Sequence, residues 1–206
     1  MKKPLIILTG PTAVGKTKLS ISLAKAVNGA IISADSMQVY RHMDIGSAKI
    51  RPEEMCGVPH YLIDVLDPSE EFHVVKFVEL AHEAMEKIYA AGQIPIVTGG
   101  TGFYIQALLK EVDFTESHGE LPIRKQLEEK AATEEGAAEL YRELSEVDPA
   151  SAETIHPNNV KRVIRALEYY HETGQKISEH NEEQKQKESP YCSAYFVLND
   201  ERSILY

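Results

Sequence analysis

The segment that most limits what this chain can fold into is Gly10-Pro11-Thr12-Ala13-Val14-Gly15-Lys16-Thr17, a G-x-x-x-x-G-K-T loop. Its surroundings are those such a loop needs. The apolar run Leu5–Leu8 precedes it and stops at Gly10, as a buried parallel strand does. A helical pattern follows from Lys16 to about Val27, with Leu19, Leu23, Ala24 and Val27 on one face and a stop at Asn28-Gly29. Glycines let the backbone wrap a phosphate closely, and the N–H groups point inward with the helix dipole behind them. Lys16 supplies a charge for the outer phosphate oxygens, and the Thr17 hydroxyl is placed to hold Mg²⁺. All eight residues are therefore expected to bind a diphosphate, with Thr17 as the metal ligand.

The rest of the first half alternates strands with helices. Strands are expected at Ala30–Ser33, Tyr61–Ile63 and Ile94–Thr98. One helix is expected to start at Asp67-Pro68-Ser69-Glu70-Glu71 and run to Ala91, and another follows Gly99-Gly100-Thr101-Gly102. This alternation implies a parallel sheet covered on both faces, an α/β core of the P-loop NTPase type. Between Leu121 and Glu188 the pattern is helical throughout, with Pro122 as a first helical residue and Gly136 as a stop. Helix boundaries are read at Asp148-Pro149 and at His156-Pro157-Asn158. Ala194–Leu198 reads as a strand again, with a helix starting at Asn199-Asp200. The expected organisation is a P-loop α/β core over residues 1–115 and 190–206, interrupted by an all-helical insertion over 116–189.

Charge divides the chain in the same place. Met1 to Asp113 holds 11 basic and 13 acidic residues, a net of −2, whereas Phe114 to Tyr206 holds 11 and 19, a net of −8. A total of −10 argues at first against nucleic acid. Lys161, Arg162 and Arg165 nevertheless cluster on a helix, opposite the apolar face Val160, Val163, Ile164 and Leu167. Such a cluster is either a solvated face or a set of phosphate contacts. Two cysteines, Cys56 and Cys192, sit far apart in no metal-binding spacing, and no apolar run is long enough to span a bilayer. A reduced, cytoplasmic setting without a membrane is the expectation.

The motifs leave the chemistry open. No N-K-x-D string for guanine is present. Asp64, after Leu62-Ile63, is the best candidate for a metal-holding acid at a strand end, and an ordinary turn aspartate is at least as good a reading. Ile96-Val97-Thr98-Gly99-Gly100 ends its strand without an acid, as small-molecule kinases of the shikimate kinase type do. A small-molecule P-loop kinase and a nucleotide-dependent switch protein are both compatible with the loop. Asp35, just past the strand Ala30–Ser33, is placed on the loop's rim of the sheet. It is a base, a metal ligand or a substrate grip there, or else a turn cap beside Ser36.

Taken in order, the strings resemble the bacterial tRNA dimethylallyltransferases, also called isopentenyl-diphosphate:tRNA transferases. The resemblance rests on the loop, on Asp35-Ser36-Met37-Gln38-Val39-Tyr40 and Met43-Asp44-Ile45-Gly46-Ser47-Ala48-Lys49, and on Pro59-His60-Tyr61-Leu62-Ile63-Asp64. It continues through Gly99-Gly100-Thr101-Gly102-Phe103-Tyr104, Val147-Asp148-Pro149, Ile155-His156-Pro157-Asn158, Arg162 and Arg165-Ala166-Leu167-Glu168. It implies transfer of a dimethylallyl group from its diphosphate to the exocyclic amine of the adenosine 3′ of the anticodon, in tRNAs that read codons beginning with U. It further implies that Asp35 is the general base and that Thr101 helps position the amine. The loop with Mg²⁺ and Arg202 would hold the diphosphate. Asp35, Ser36, Met37, Gln38, Thr101, Arg124, Lys161, Arg162, Val163, Ile164 and Arg165 would meet the tRNA anticodon loop. A monomer lacking the family's C-terminal third, which adds tRNA contacts, is the form the resemblance implies.

Overall fold

The structure, a computed structural model, describes residues 2–112, 122–201 and 203. The chain divides into two compact units, Met1–Val112 with Glu188–Tyr206, and Asp113–Lys187.

The first unit is built on β1 (Lys3–Thr9), β2 (Gly29–Ser33), β3 (His60–Tyr61), β4 (Ile94–Gly99) and β5 (Tyr191–Val197). They form one sheet in the order β3-β2-β4-β1-β5, and every pairing is parallel. Because side chains alternate along a buried strand, each face is read from every second residue. Leu5, Ile7, Ala30, Ile32 and Val97 face α2 (Val74–Ala90) and α3 (Gly102–Lys110), packing with Phe77, Met85, Ile88, Ile105 and Leu108. Ile31 and Ile96 face the other way and pack with Ala24 of α1 (Lys16–Val27). Burial of this kind stabilises by roughly 1.5–3 kcal/mol for each large side chain. Coverage stops at the edge, where the side chains of Cys192 to Val197 in β5 are exposed.

The second unit holds α4 (Pro122–Lys130), α5 (Glu134–Val147), α6 (Pro149–Thr154), α7 (Val160–Thr173) and α8 (Ile177–Gln186). Its core joins Leu127, Leu140, Leu144, Ile164 and Leu167.

Two sequence expectations fail for identifiable reasons. Asp67 to Glu70 forms a turn instead of a helix start. Asp67 accepts from the Ser69 amide while Glu70 accepts from the Asp67 amide, at 3.0 and 2.7 Å. The helix begins only after His73, whose ring caps it. The intervening Phe72 leaves helical register and packs edge-on against Tyr104, 5.6 Å between centroids. Gly136 likewise is no stop. It lies in the first turn of α5, where Thr133 accepts its amide at 3.1 Å and a Cβ would collide with the Lys130 carbonyl.

Candidate active site

In a parallel sheet the carboxyl ends of all strands share one rim, and binding loops gather there. β1 leads into the P-loop, β2 into Asp35 and β4 into Gly99-Gly100-Thr101. Gly99 sits where β4 and the end of β2 touch, and a Cβ there would strike the Ala34 carbonyl. The Ala34 amide donates to the Thr98 carbonyl at 2.8 Å, and Thr9 Oγ1 donates to the Gly99 carbonyl at 3.0 Å. The three strand ends are thereby fixed to one another.

The loop has the local geometry of an anion cradle. Gly15 closes it as the residue before α1, at φ +86°, and Ala13 is held at φ +69° although it carries a side chain. Strain of this type, about 1–3 kcal/mol, persists where the surroundings enforce it, and it clusters at binding sites. Lys16 Nζ donates to the loop's own Gly10 and Pro11 carbonyls at 2.9 and 2.6 Å. Burial lowers the Lys16 ammonium below the usual lysine range, while the nearby Asp35 charge pulls the other way. Thr17 of the loop and Asp35 line one cavity, although they lie on different loops.

Asp35 Oδ1 accepts from the Met37 and Gln38 amides at 2.8 and 3.3 Å, an Asx-type turn that aims the carboxylate. Gln38 is tied in place, accepting from Ser33 Oγ at 3.0 Å and donating to the Ser47 and Ala48 carbonyls. Ser36 is exposed, and Met37 is 46% exposed. Thr101 precedes α3 and makes no side-chain capping bond to it.

The loop that presents these residues is anchored by a group that sequence reasoning left without a role. The Lys49 side chain is 4% exposed, and its Nζ donates to Tyr40 O, Asp44 Oδ1 and Asp64 Oδ1 at 2.7, 2.9 and 2.6 Å. Asp64 is thus a loop fastener in a turn, at φ +55°, because β3 ends already at Tyr61. It is not a metal-holding acid at a strand end. Only the string Met43–Lys49 hinted that Lys49 mattered.

A narrow cavity of about 50 Å³ opens here, lined by Thr17, Ser33, Asp35, Gln38, His60 and Thr98 among others. Burial pushes the His60 imidazole down, against the Val58 carbonyl that lies 2.8 Å from Nδ1. Thr98 Oγ1 is buried with no hydrogen-bond partner. Among the described residues no three His, Cys, Asp or Glu side chains gather as a metal cage. The hard oxygen of Thr17 with an orphaned hydroxyl in the same cavity suits Mg²⁺ all the same, since that ion keeps several waters and takes phosphate oxygens from its substrate.

In the helical unit, Glu168 is completely buried, and its Oε2 receives Arg124 at 3.3 Å and Arg165 at 3.2 Å. Arg124 also bonds Glu128 at 3.1 Å. Lys161 and Arg162 are exposed. Val163 and Ile164 are 1% and 5% exposed, so their side chains belong to the core and not to a contact surface. Arg202 lies outside the described residues. Of the helix expected to start at Asn199-Asp200, residues 199–201 are described and are not helical, and 202 and 204–206 lie outside the described residues. Both cysteines are free, and no helix among the described residues is long and apolar enough to cross a membrane.

Comparison with known proteins places this geometry. The chain is 66% identical to the tRNA dimethylallyltransferase of Lachnoclostridium phytofermentans over 204 residues, covering 99% of this chain and 65% of that protein. It is 49% identical to the tRNA dimethylallyltransferase of Bacillus mycoides, covering 100% and 64%. The chain therefore spans just under two thirds of the length of these relatives. A eukaryotic dimethylallyltransferase acting on tRNA superposes with a TM-score of 0.82 at 40% identity, over 95% of this chain and 48% of that one. The full-length tRNA isopentenylpyrophosphate transferase of Bacillus halodurans gives 0.65 at 45% identity, over 100% and 63%. The fold is P-loop NTPase-like. The family model described as IPP transferase matches residues 38–206, more than half of the chain, and the chain belongs to that family.

Proposed function

We propose that this chain carries the transfer centre of a tRNA dimethylallyltransferase. It moves a dimethylallyl group from dimethylallyl diphosphate to the exocyclic amine of the adenosine 3′ of the anticodon, in tRNAs that read codons beginning with U. The observation that carries this reading is the meeting of two loops on one rim: a phosphate-binding loop whose Thr17 lines one cavity with Asp35, and Asp35 itself held by its own turn. The names of the relatives point the same way, and they leave the kinase reading without support.

Each residue then has a task. The loop from Gly10 to Thr17 wraps the diphosphate, and Lys16 turns from the Gly10 and Pro11 carbonyls to its outer oxygens. These groups meet the charge that grows on the leaving diphosphate as the allylic C–O bond breaks. Thr17 would hold Mg²⁺, which would supply further charge neutralisation for the diphosphate. The adenine amine attacks the allylic carbon, and Asp35 takes its proton as the C–N bond forms. Thr101, with its hydroxyl unused by the helix cap, orients the amine. Ser36, Met37 and Gln38 line the base's approach, and the target base leaves its stack at a cost of about a few kcal/mol. Arg202 is assigned to the diphosphate. Lys161, Arg162, Arg165 and Arg124 supply RNA phosphate contacts from the helical unit, while Val163 and Ile164 serve that surface only by packing beneath it.

The test is a pair of assays with the full-length protein. Labelled dimethylallyl diphosphate with unmodified tRNA should yield prenylated tRNA without ATP. Turnover of ATP onto a small metabolite with no prenyl transfer would overturn the reading.

A further inference from the structure

Thr98 is the last residue but one of β4, the strand paired with β1, which leads into the loop; Leu8 is paired to Thr98 and Thr9 to Gly99. P-loop enzymes that activate water keep an acid at a strand end near the loop, and this chain has a hydroxyl. That hydroxyl is buried without a partner, which is destabilising as long as it stays so. Its neighbours in the cavity are already engaged. Ser33 Oγ donates to Gln38, and Ser20 Oγ donates to the Thr17 carbonyl at 2.9 Å. The Ala34 amide donates to the Thr98 carbonyl, which fixes the main chain at this position.

Thr98 lines the same cavity as Thr17 and Asp35, which measures about 50 Å³. One water needs only about 10–15 Å³ of such space, so the cavity has room for a few ordered waters. From these facts we infer that Thr98 is a positioning residue for the loop's divalent cation, its hydroxyl holding one of the cation's waters beneath the diphosphate. The inference rests on the diphosphate reading of the loop. It gives the strand end a function that an acid would not serve. A neutral hydroxyl orients a water by hydrogen bonding but cannot take its proton, so this water is held without becoming a nucleophile toward the prenyl donor. With no protein carboxylate cage in the described residues, the cation depends on such outer contacts for its place.

Cation binding separates this role from a structural one. Mn²⁺ is titrated by electron paramagnetic resonance into the protein saturated with pyrophosphate. Pyrophosphate affinity is measured separately in EDTA. Thr98→Val keeps the shape of a strand residue and deletes the hydroxyl. It should lower Mn²⁺ affinity by about 10- to 100-fold, the range for lost outer-shell partners, with pyrophosphate affinity in EDTA unchanged. Thr98→Ser, which keeps the hydroxyl, should restore Mn²⁺ binding to within a fewfold. Equal Mn²⁺ affinity in Thr98→Val and parent overturns the inference. Loss of pyrophosphate binding in EDTA also overturns it, because the hydroxyl would then touch the diphosphate itself. A parent protein that binds pyrophosphate but no Mn²⁺ removes the cation site and this inference, leaving prenyl transfer to its own assay. A parent that binds no pyrophosphate sinks the loop reading first.

Discussion

Asp35 Oδ1 accepts the main-chain N–H of Met37 at 2.8 Å, so the carboxylate assigned as the base is also the acceptor that shapes its own loop. The two roles do not compete. One oxygen spends a lone pair on the turn and fixes the direction of the group, which leaves the other oxygen free to serve as base. Asp35→Ala should therefore cost about 1 kcal/mol of stability through the turn, and far more in rate.

Lys16 gives the pH dependence of diphosphate binding. Burial holds its pKa below the usual lysine range, so its charge is lost as pH rises through that lowered value. Pyrophosphate affinity, followed by calorimetry, should fall on the alkaline side before an ordinary lysine would titrate. Lys16→Ala should abolish that alkaline limb and weaken binding by roughly 10- to 100-fold, the worth of one charge-assisted contact. An unchanged affinity would remove Lys16 from the cradle.

The helical unit should tie RNA binding to a buried charge. Glu168 holds Arg124 and Arg165 from inside the core, and removing one partner of a buried pair costs about 3–5 kcal/mol. Since both arginines are part-exposed, the lower end of that range is expected for Glu168→Ala in denaturant titrations. A loss below about 1 kcal/mol would mean that the arginines find water as readily as Glu168.

Lys161, Arg162 and Arg165 are tested together. Each phosphate contact removed by alanine should lower the log–log salt slope of tRNA binding by about 0.7–0.9. An identical slope in the triple variant returns these residues to the role of a solvated face.

Asp148 predicts an acid limb of stability for the helical unit. Its carboxylate accepts from the Ser151 amide and hydroxyl and from the Ser178 amide and hydroxyl, at 2.6 to 3.2 Å. Burial alone would raise its pKa. The serine bonds together outweigh that and leave it below the usual range. The stability is then fully present above the unfolded value near 3.9 and is lost as pH falls through the folded one. Asp148→Asn should flatten this acid limb in thermal melts of the protein. A limb of the same size in the variant would place its origin elsewhere.

What the sequence disclosed, and what it withheld, follows from the range of each interaction. The P-loop, α1 ending at Asn28 and the run Ile94–Thr98 were legible because a glycine pattern and apolar periodicity are local signals. Asp35 could be placed on the correct rim because parallel topology does that for any strand end. Lys49 was not legible, since its three partners come from Tyr40, Asp44 and Asp64. Nothing local marks a lysine as buried. Asp67–Glu71 misled because the same capping bonds close a turn as start a helix, and Phe72, drawn to Tyr104, decides between them. Val163 and Ile164 stand on the apolar face by periodicity, and their tRNA role comes only from the family resemblance; their burial follows the periodicity.

The central claim is that Asp35 takes the proton from the adenine amine while the loop independently holds the diphosphate. Asp35→Asn, which keeps the shape and can still accept the Met37 amide, isolates it. Single-turnover prenylation of tRNA at saturating dimethylallyl diphosphate should slow by roughly 10²- to 10⁴-fold, with diphosphate affinity little changed. A variant that prenylates within a fewfold of the parent, or one whose diphosphate binding falls in step with its rate and recovers with added Mg²⁺, would contradict the account.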